Sequence, residues 1–260
     1  EKRMKSLRLF KYIHQAKRKE AESAKAAAGR KRMDGSLPLG VKLGGMIGVS
    51  ETSFFLAKDL GVMARCPPNR REVVAYGRMP IPGGMQMHRF YLDGDEGFVL
   101  RVITNEKNQV IDDETALFVE SEEHAPSKKK EWNAGLGNPE KPKKPYLIGW
   151  GTCTIGDDED DNDSTYIRSI EDDYAPQEAE NYLKKSQIAP IVGVERLFTS
   201  PYDLTGKSVD RKLMFYGRTV GEEGSEITEL CTVSSVATHD EAWIEVLTAL
   251  PVSKEDLTIL

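Results

Sequence analysis

The chain is predicted to be mainly β, of the α+β type, with antiparallel meanders in two similar lobes behind a long N-terminal helix. Three observations predict this. Met85 to Glu120 reads as three β-like runs, with Met85, Met87, Arg89 and Tyr91 alternating against Gln86, His88, Phe90 and Leu92, the period of a two-faced strand. A comparable set recurs late in the chain, in KLMFYGRTV (Lys212 to Val220), ELCTVSSVAT (Glu229 to Thr238) and WIEVLTAL (Trp243 to Leu250). Residues 4–28 combine alanines with charged helix formers and are followed by Gly29, a natural helix terminator.

Taken in order, Leu7, Phe10 and Ile13 give the N-terminal helix a broad apolar face, which Leu9 and Tyr12 widen and Lys17 interrupts. Such a helix frays unless it docks. Gly29 to Ser36 is a basic linker, so residues 1–34 form a basic helical arm. Gly40, Gly44 and Gly48 recur among β-like residues, which suits a glycine-bearing edge strand or hairpin, and Phe54 to Leu56 continues the apolar pattern. Glu72 to Met79 is a strand ended by Pro80 and Pro82. In the central meander Asp93-Gly94 is a strong hairpin signal. Phe98 to Ile103 then forms a second strand and Leu117 to Val119 a third, completing a first lobe over 35–122.

Residues 123–145 are rich in Lys and Pro and read as a linker. A strand restarts at Pro145 and runs to Ile155, opening a second lobe over 146–260. Within it Pro176, Glu178 and Glu180 followed by Lys184-Lys185 predict a short helix near 176–185. An aromatic pair, Phe90-Tyr91 and then Phe215-Tyr216, makes the second meander echo the first.

Charge is distributed unevenly. The net value of -6 conceals an arm, residues 1–32, with twelve Lys/Arg against three Glu. Such a split suggests that the arm meets something anionic, or else that it is a solubilising tail or folds back onto the acidic remainder. No apolar run approaches the roughly 18 to 20 residues of a membrane-spanning helix, and no secretory leader is expected. Cys66, Cys153 and Cys231 are widely spaced and odd in number, which points to reduced thiols rather than a disulfide framework.

Motifs for chemistry are tested and set aside. Gly206-Lys207-Ser208 resembles the end of a phosphate loop, but Pro201 stands where the first glycine is needed. Gly149-Trp150-Gly151 lacks the third glycine of a dinucleotide fingerprint. His14, His88, His124 and His239 are far apart and show no metal-ligand spacing. The acidic run Asp157 to Asp163 places Asn162 and Arg168 where a calcium loop needs Gly and Glu. No catalytic residue, metal site or cofactor is therefore expected.

Two sets of candidate residues remain. Lys2, Arg3, Lys5, Arg8, Lys11, Lys17, Arg18 and Lys19, with Leu7, Phe10 and Ile13 for shallow insertion, would contact a partner or an anionic surface. His88, Arg89, Tyr91, Arg101 and Arg218 are the polar strand residues that could line a pocket.

Four stretches resemble the YjfK-like family of bacterial proteins of unknown function. They are LPLGVKLGG (Leu37 to Gly45), HRFYLDGDEGFVLRV (His88 to Val102), ETALF (Glu114 to Phe118) and Lys212 to Leu250. The resemblance implies a cytoplasmic bacterial protein without an established activity, of a kind that accompanies envelope-stress proteins and small membrane proteins. It supplies no catalytic residues.

The function expected is a non-enzymatic accessory or interaction protein, acting with another protein at the inner face of a membrane. The alternative is an enzyme or small-ligand binder with a site between the lobes. Nucleic acid is a disfavoured partner, and self-association through the N-terminal helix is a weaker expectation.

Overall fold

A computed structural model describes residues 8–24, 31–127, 152–155, 164–168, 191–202, 206–221 and 226–260. The strands in chain order are β1 (Met46–Val49), β2 (Arg71–Ile81), β3 (Met85–Leu92), β4 (Phe98–Thr104), β5 (Ala116–His124), β6 (Thr152–Ile155), β7 (Ser164–Arg168), β8 (Ile191–Phe198), β9 (Lys207–Val220), β10 (Ile227–Ala237), β11 (Ala242–Pro251) and β12 (Leu257–Ile259). Among the described residues two α-helices accompany them, α1 (Arg8–Ala24) and α2 (Thr52–Lys58).

Eight of these strands close on themselves. The cycle runs β2-β3-β4-β5-β11-β10-β9-β8 and returns to β2, with every pairing antiparallel. The two expected meanders are thus β3–β5, which β2 extends, and β9–β11, but they are not two lobes. They are joined edge to edge along β5–β11, where Ala249 faces Phe118, and along the β8 bridge, where Tyr76 faces Phe198. Closure is the physical reason: each meander alone exposes two open edges, and joining them removes these.

Strand β8 carries that closure, and its sequence shows no clear strand pattern. In IVGVERLF the alternation is broken by Gly193 and by Glu195 on the inward face. The run Phe54 to Leu56 is helical, in α2, rather than strand-like. Glycine-bearing β1 lies between β2 and β12 and is not an edge. Helix α1 occupies Arg8–Ala24 within the expected 4–28, and it is docked on the body rather than free. The helix expected near 176–185, and most of the Lys- and Pro-rich linker, lie outside the described residues.

Parity along the strands sorts side chains onto two faces. On the outer face of β2–β5, Tyr76, Phe90, Leu92, Leu100, Val102, Leu117 and Val119 pack under Val41, Leu43, Ile47, Phe54 and Ala57 from the segment ahead of the barrel. Strand β4 is consequently buried at every position, which explains why FVLRVIT reads as a nearly continuous apolar run rather than an alternation.

His88 belongs to this outer layer. It is 3 % exposed and held between the Tyr76 hydroxyl at 2.8 Å and the Thr104 hydroxyl at 2.9 Å. Burial, helped by Arg78, pushes its imidazole down to about 4. The folded chain therefore keeps His88 neutral, while an unfolded chain protonates it near its ordinary value of about 6.5. Stability is full above that value and is lost as pH falls toward about 4, by on the order of 3 kcal/mol in total. Thermal unfolding between pH 7 and 4.5 should show this slope in the wild type and a flatter one in His88→Gln. Equal slopes would exclude His88 as the source.

Candidate functional site: a charged layer inside the barrel

A barrel of eight strands has an interior just wide enough to be filled by side chains or to hold one small ligand. Here the lumen is filled in three layers, set by every second residue along each strand. Nearest α1 lie Tyr91, Leu197, Val209, Val236 and Trp243, against which Leu9, Phe10 and Ile13 of the helix pack. Farthest from it lie Met79, Met87 and Leu213, with Phe215. Between these apolar layers sits an ionic one.

Arg211 of β9 is the hub of that layer and is wholly buried. Its Nε donates to Glu195 of β8. Its Nη1 donates to Glu245 of β11 at 2.7 Å and to the Ser234 hydroxyl of β10 at 3.0 Å. Its Nη2 donates to the Tyr91 hydroxyl at 3.1 Å, which in turn donates to Glu195 at 2.7 Å. Arg89 of β3 completes the quartet, 3.0 Å from Glu245 and 3.7 Å from Glu195. Strands β3 and β11 are not neighbours, so the Arg89–Glu245 contact crosses the lumen and proves that this face points inward.

Two arginines and two glutamates balance in charge. Burial works against the charge of Arg211, yet Glu195 and Glu245 hold it well above its usual range. Burial likewise opposes the Glu245 carboxylate, which Arg211 and Arg89 pull below the ordinary value. Tyr91 is pushed up by burial and stays a neutral donor despite the two cations. Gly77 faces the quartet from β2, and a side chain there would collide with the Glu195 carboxylate. The layer pins β3, β8, β9, β10 and β11 in one register.

Of the five residues expected to line a pocket, the structure brings together three. Arg89, Tyr91 and Arg101 face the lumen. His88, one residue out of phase, lies in the outer layer. Arg218 is also outside, where it pairs with buried Glu229 at 2.6 Å; Glu229 in turn accepts the Met63 and Ala64 amides and so anchors the loop after α2. Glu195, Arg211 and Glu245 were missed. Their signal is parity: Arg211 alternates with Val209 and Leu213, and Glu245 with Trp243 and Leu247, so each charge sits on an apolar face.

The basic arm is redistributed. Phe10 and Ile13, expected to insert into a surface, are 3 % and 0 % exposed beneath α1, because the open end of the barrel offers them an apolar seat. Arg8 is bound to Glu123 at the barrel rim and to Glu241, each at 3.0 Å, and Lys17 pairs with Glu72. The described helix of the arm thus folds back onto the body, one of the three readings that the charge split leaves open. Lys11 and Arg18 remain exposed, on one helical face with His14 and Gln15. Lys2, Arg3, Lys5 and Leu7 lie outside the described residues, as does the Lys19 side chain.

Among the described residues no cluster of His, Cys, Asp and Glu could hold a metal, Cys66 and Cys231 form no disulfide, and no helix is long and apolar enough to cross a membrane.

The fold and its ionic layer define a closed, eight-stranded antiparallel barrel with a helix across one end. The chain belongs to the DUF2491 family of proteins of unknown function, whose model matches residues 13–258. No curated protein and no solved structure matches it.

Proposed function

We propose that this is a non-enzymatic interaction protein in which the barrel is a scaffold and docked α1 presents cations to an anionic partner surface at the inner face of a membrane. One observation carries this reading. Seating the apolar face of α1 in the barrel mouth turns Lys11 and Arg18 outward together, and the sequence before and after the helix holds further Lys and Arg. The ion pairs of Arg8 and Lys17 fix the orientation of that face. The YjfK-like resemblance, with its envelope-stress and membrane-protein companions, supports the same setting.

The test is sedimentation of the full chain with vesicles. Binding to anionic vesicles is expected at low salt and should be lost at high salt, since exposed cations act within a Debye length. Each cation near such a surface contributes about 1 kcal/mol, so Lys11→Gln and Arg18→Gln should each weaken binding about fivefold. Binding equal on neutral vesicles, or no binding at low salt, would remove the membrane part of the proposal.

A further inference from the structure

The balanced quartet leaves Arg101 out. It projects from β4 into the same lumen, directly opposite Arg89 in the strand register, and is 7 % exposed. The carboxylate acting on it is Glu114, 3.6 Å away and itself 48 % exposed. Burial, with a smaller push from neighbouring Arg89 and against the pull of Glu114, lowers Arg101 to about 10. Phe118 and Phe215 flank its guanidinium at 5.0 and 5.5 Å. Two arginines facing each other across adjacent strands repel, and a desolvated cation without full compensation is costly.

A small void lies at this point, about 10 Å³, lined by Arg89, Arg101 and Thr232 with Met87, Phe118, Leu213, Phe215 and Leu247. Each of its three polar residues has a buried atom without a hydrogen-bond partner: Arg89 Nη1, which lies 3.7 Å from the Glu195 carboxylate, Arg101 Nε and the Thr232 hydroxyl. Two of these can only donate, and the third is able to. Buried donors are almost always satisfied, so the void calls for an acceptor. The space is that of a single atom-sized occupant, and Arg101, the cation outside the balanced quartet with only half-exposed Glu114 against it, favours an anion there.

We propose that the barrel binds one halide-sized anion, chloride under ordinary conditions, between Arg89, Arg101 and Thr232. The anion bridges the two opposed guanidiniums and accepts from Thr232. The site stands independently of the surface on α1, and a ligand that binds only the folded chain stabilises it by mass action.

The test uses the full chain and two readouts. Thermal unfolding is compared in sodium chloride, sodium bromide and sodium gluconate at matched ionic strength. The halides are expected to raise Tm saturably by about 3 °C over gluconate, and Thr232→Val and Arg101→Gln should abolish that increment. Crystals grown in bromide should show an anomalous peak within contact distance of Arg101 Nε. Equal Tm in all three salts, an increment that survives in Thr232→Val, or an ordered water in the void with no bromide peak would each overturn the proposal. Should Arg101→Gln fail to fold, Thr232→Val and the bromide crystal still decide it.

Discussion

Replacing Arg211 by methionine is expected to destabilise the protein by about 3–5 kcal/mol, the usual cost of removing one partner from a buried ion pair. Methionine fills a similar volume, so the loss is electrostatic rather than a packing defect. Glu195 and Glu245 would then share Arg89, which reaches one at 3.0 Å and the other at only 3.7 Å. Ser234 and the Tyr91 hydroxyl would each lose a partner. Chemical denaturation is the measurement, with the slope against denaturant compared to confirm that the same surface unfolds.

The double variant Arg211→Met with Glu245→Leu isolates the cause. It leaves Arg89 facing Glu195, a neutral pair, and should recover a substantial part of the loss, because a buried pair removed together costs far less than one removed by halves. A single-variant cost below about 1 kcal/mol, or losses that simply add, would show that the quartet does not hold the barrel in the way its geometry implies.

Why the sequence showed the strands but not this layer is a matter of range. Alternation and turn chemistry are local, and they place β3, β4, β10 and β11 within a residue or two of where they lie. Closure is not local: whether two meanders stand apart or share edges depends on β8, whose inward Gly193 and Glu195 blunt the apolar pattern of its face. The aromatic pairs show the limit well. Phe90 points outward and Tyr91 inward, whereas Phe215 points inward beside Arg101 and Tyr216 pairs with Cys231 on the outer face. A repeat of residue types was thus no repeat of geometry. Parity alone would have flagged Arg211 and Glu245 as inward charges, but only the closed cycle shows that they meet. The basic arm was legible as a charge imbalance, while its docking depended on an apolar seat that exists only after eight strands have closed.

That docking leads to the second large effect. Phe10→Ala is expected to cost about 3–5 kcal/mol, as for other buried aromatics cut back to alanine. The ring lies edge-on to Tyr91, with centroids 5.8 Å apart and planes at 76°, so its loss opens the lumen directly above the ionic layer. Phe10→Leu should cost clearly less, since it keeps most of the apolar volume in the seat. Denaturation reads the total, and hydrogen exchange along Arg8–Ala24 distinguishes two outcomes. Faster exchange confined to α1 means that the helix lifts off while the barrel persists; faster exchange throughout means that the helix is part of the core. In either case binding to anionic vesicles should fall although no charge has changed, because Lys11 and Arg18 no longer share a fixed outward face. Undiminished vesicle binding by Phe10→Ala would mean that the cations act as a free tail and that the seat of α1 serves the barrel alone.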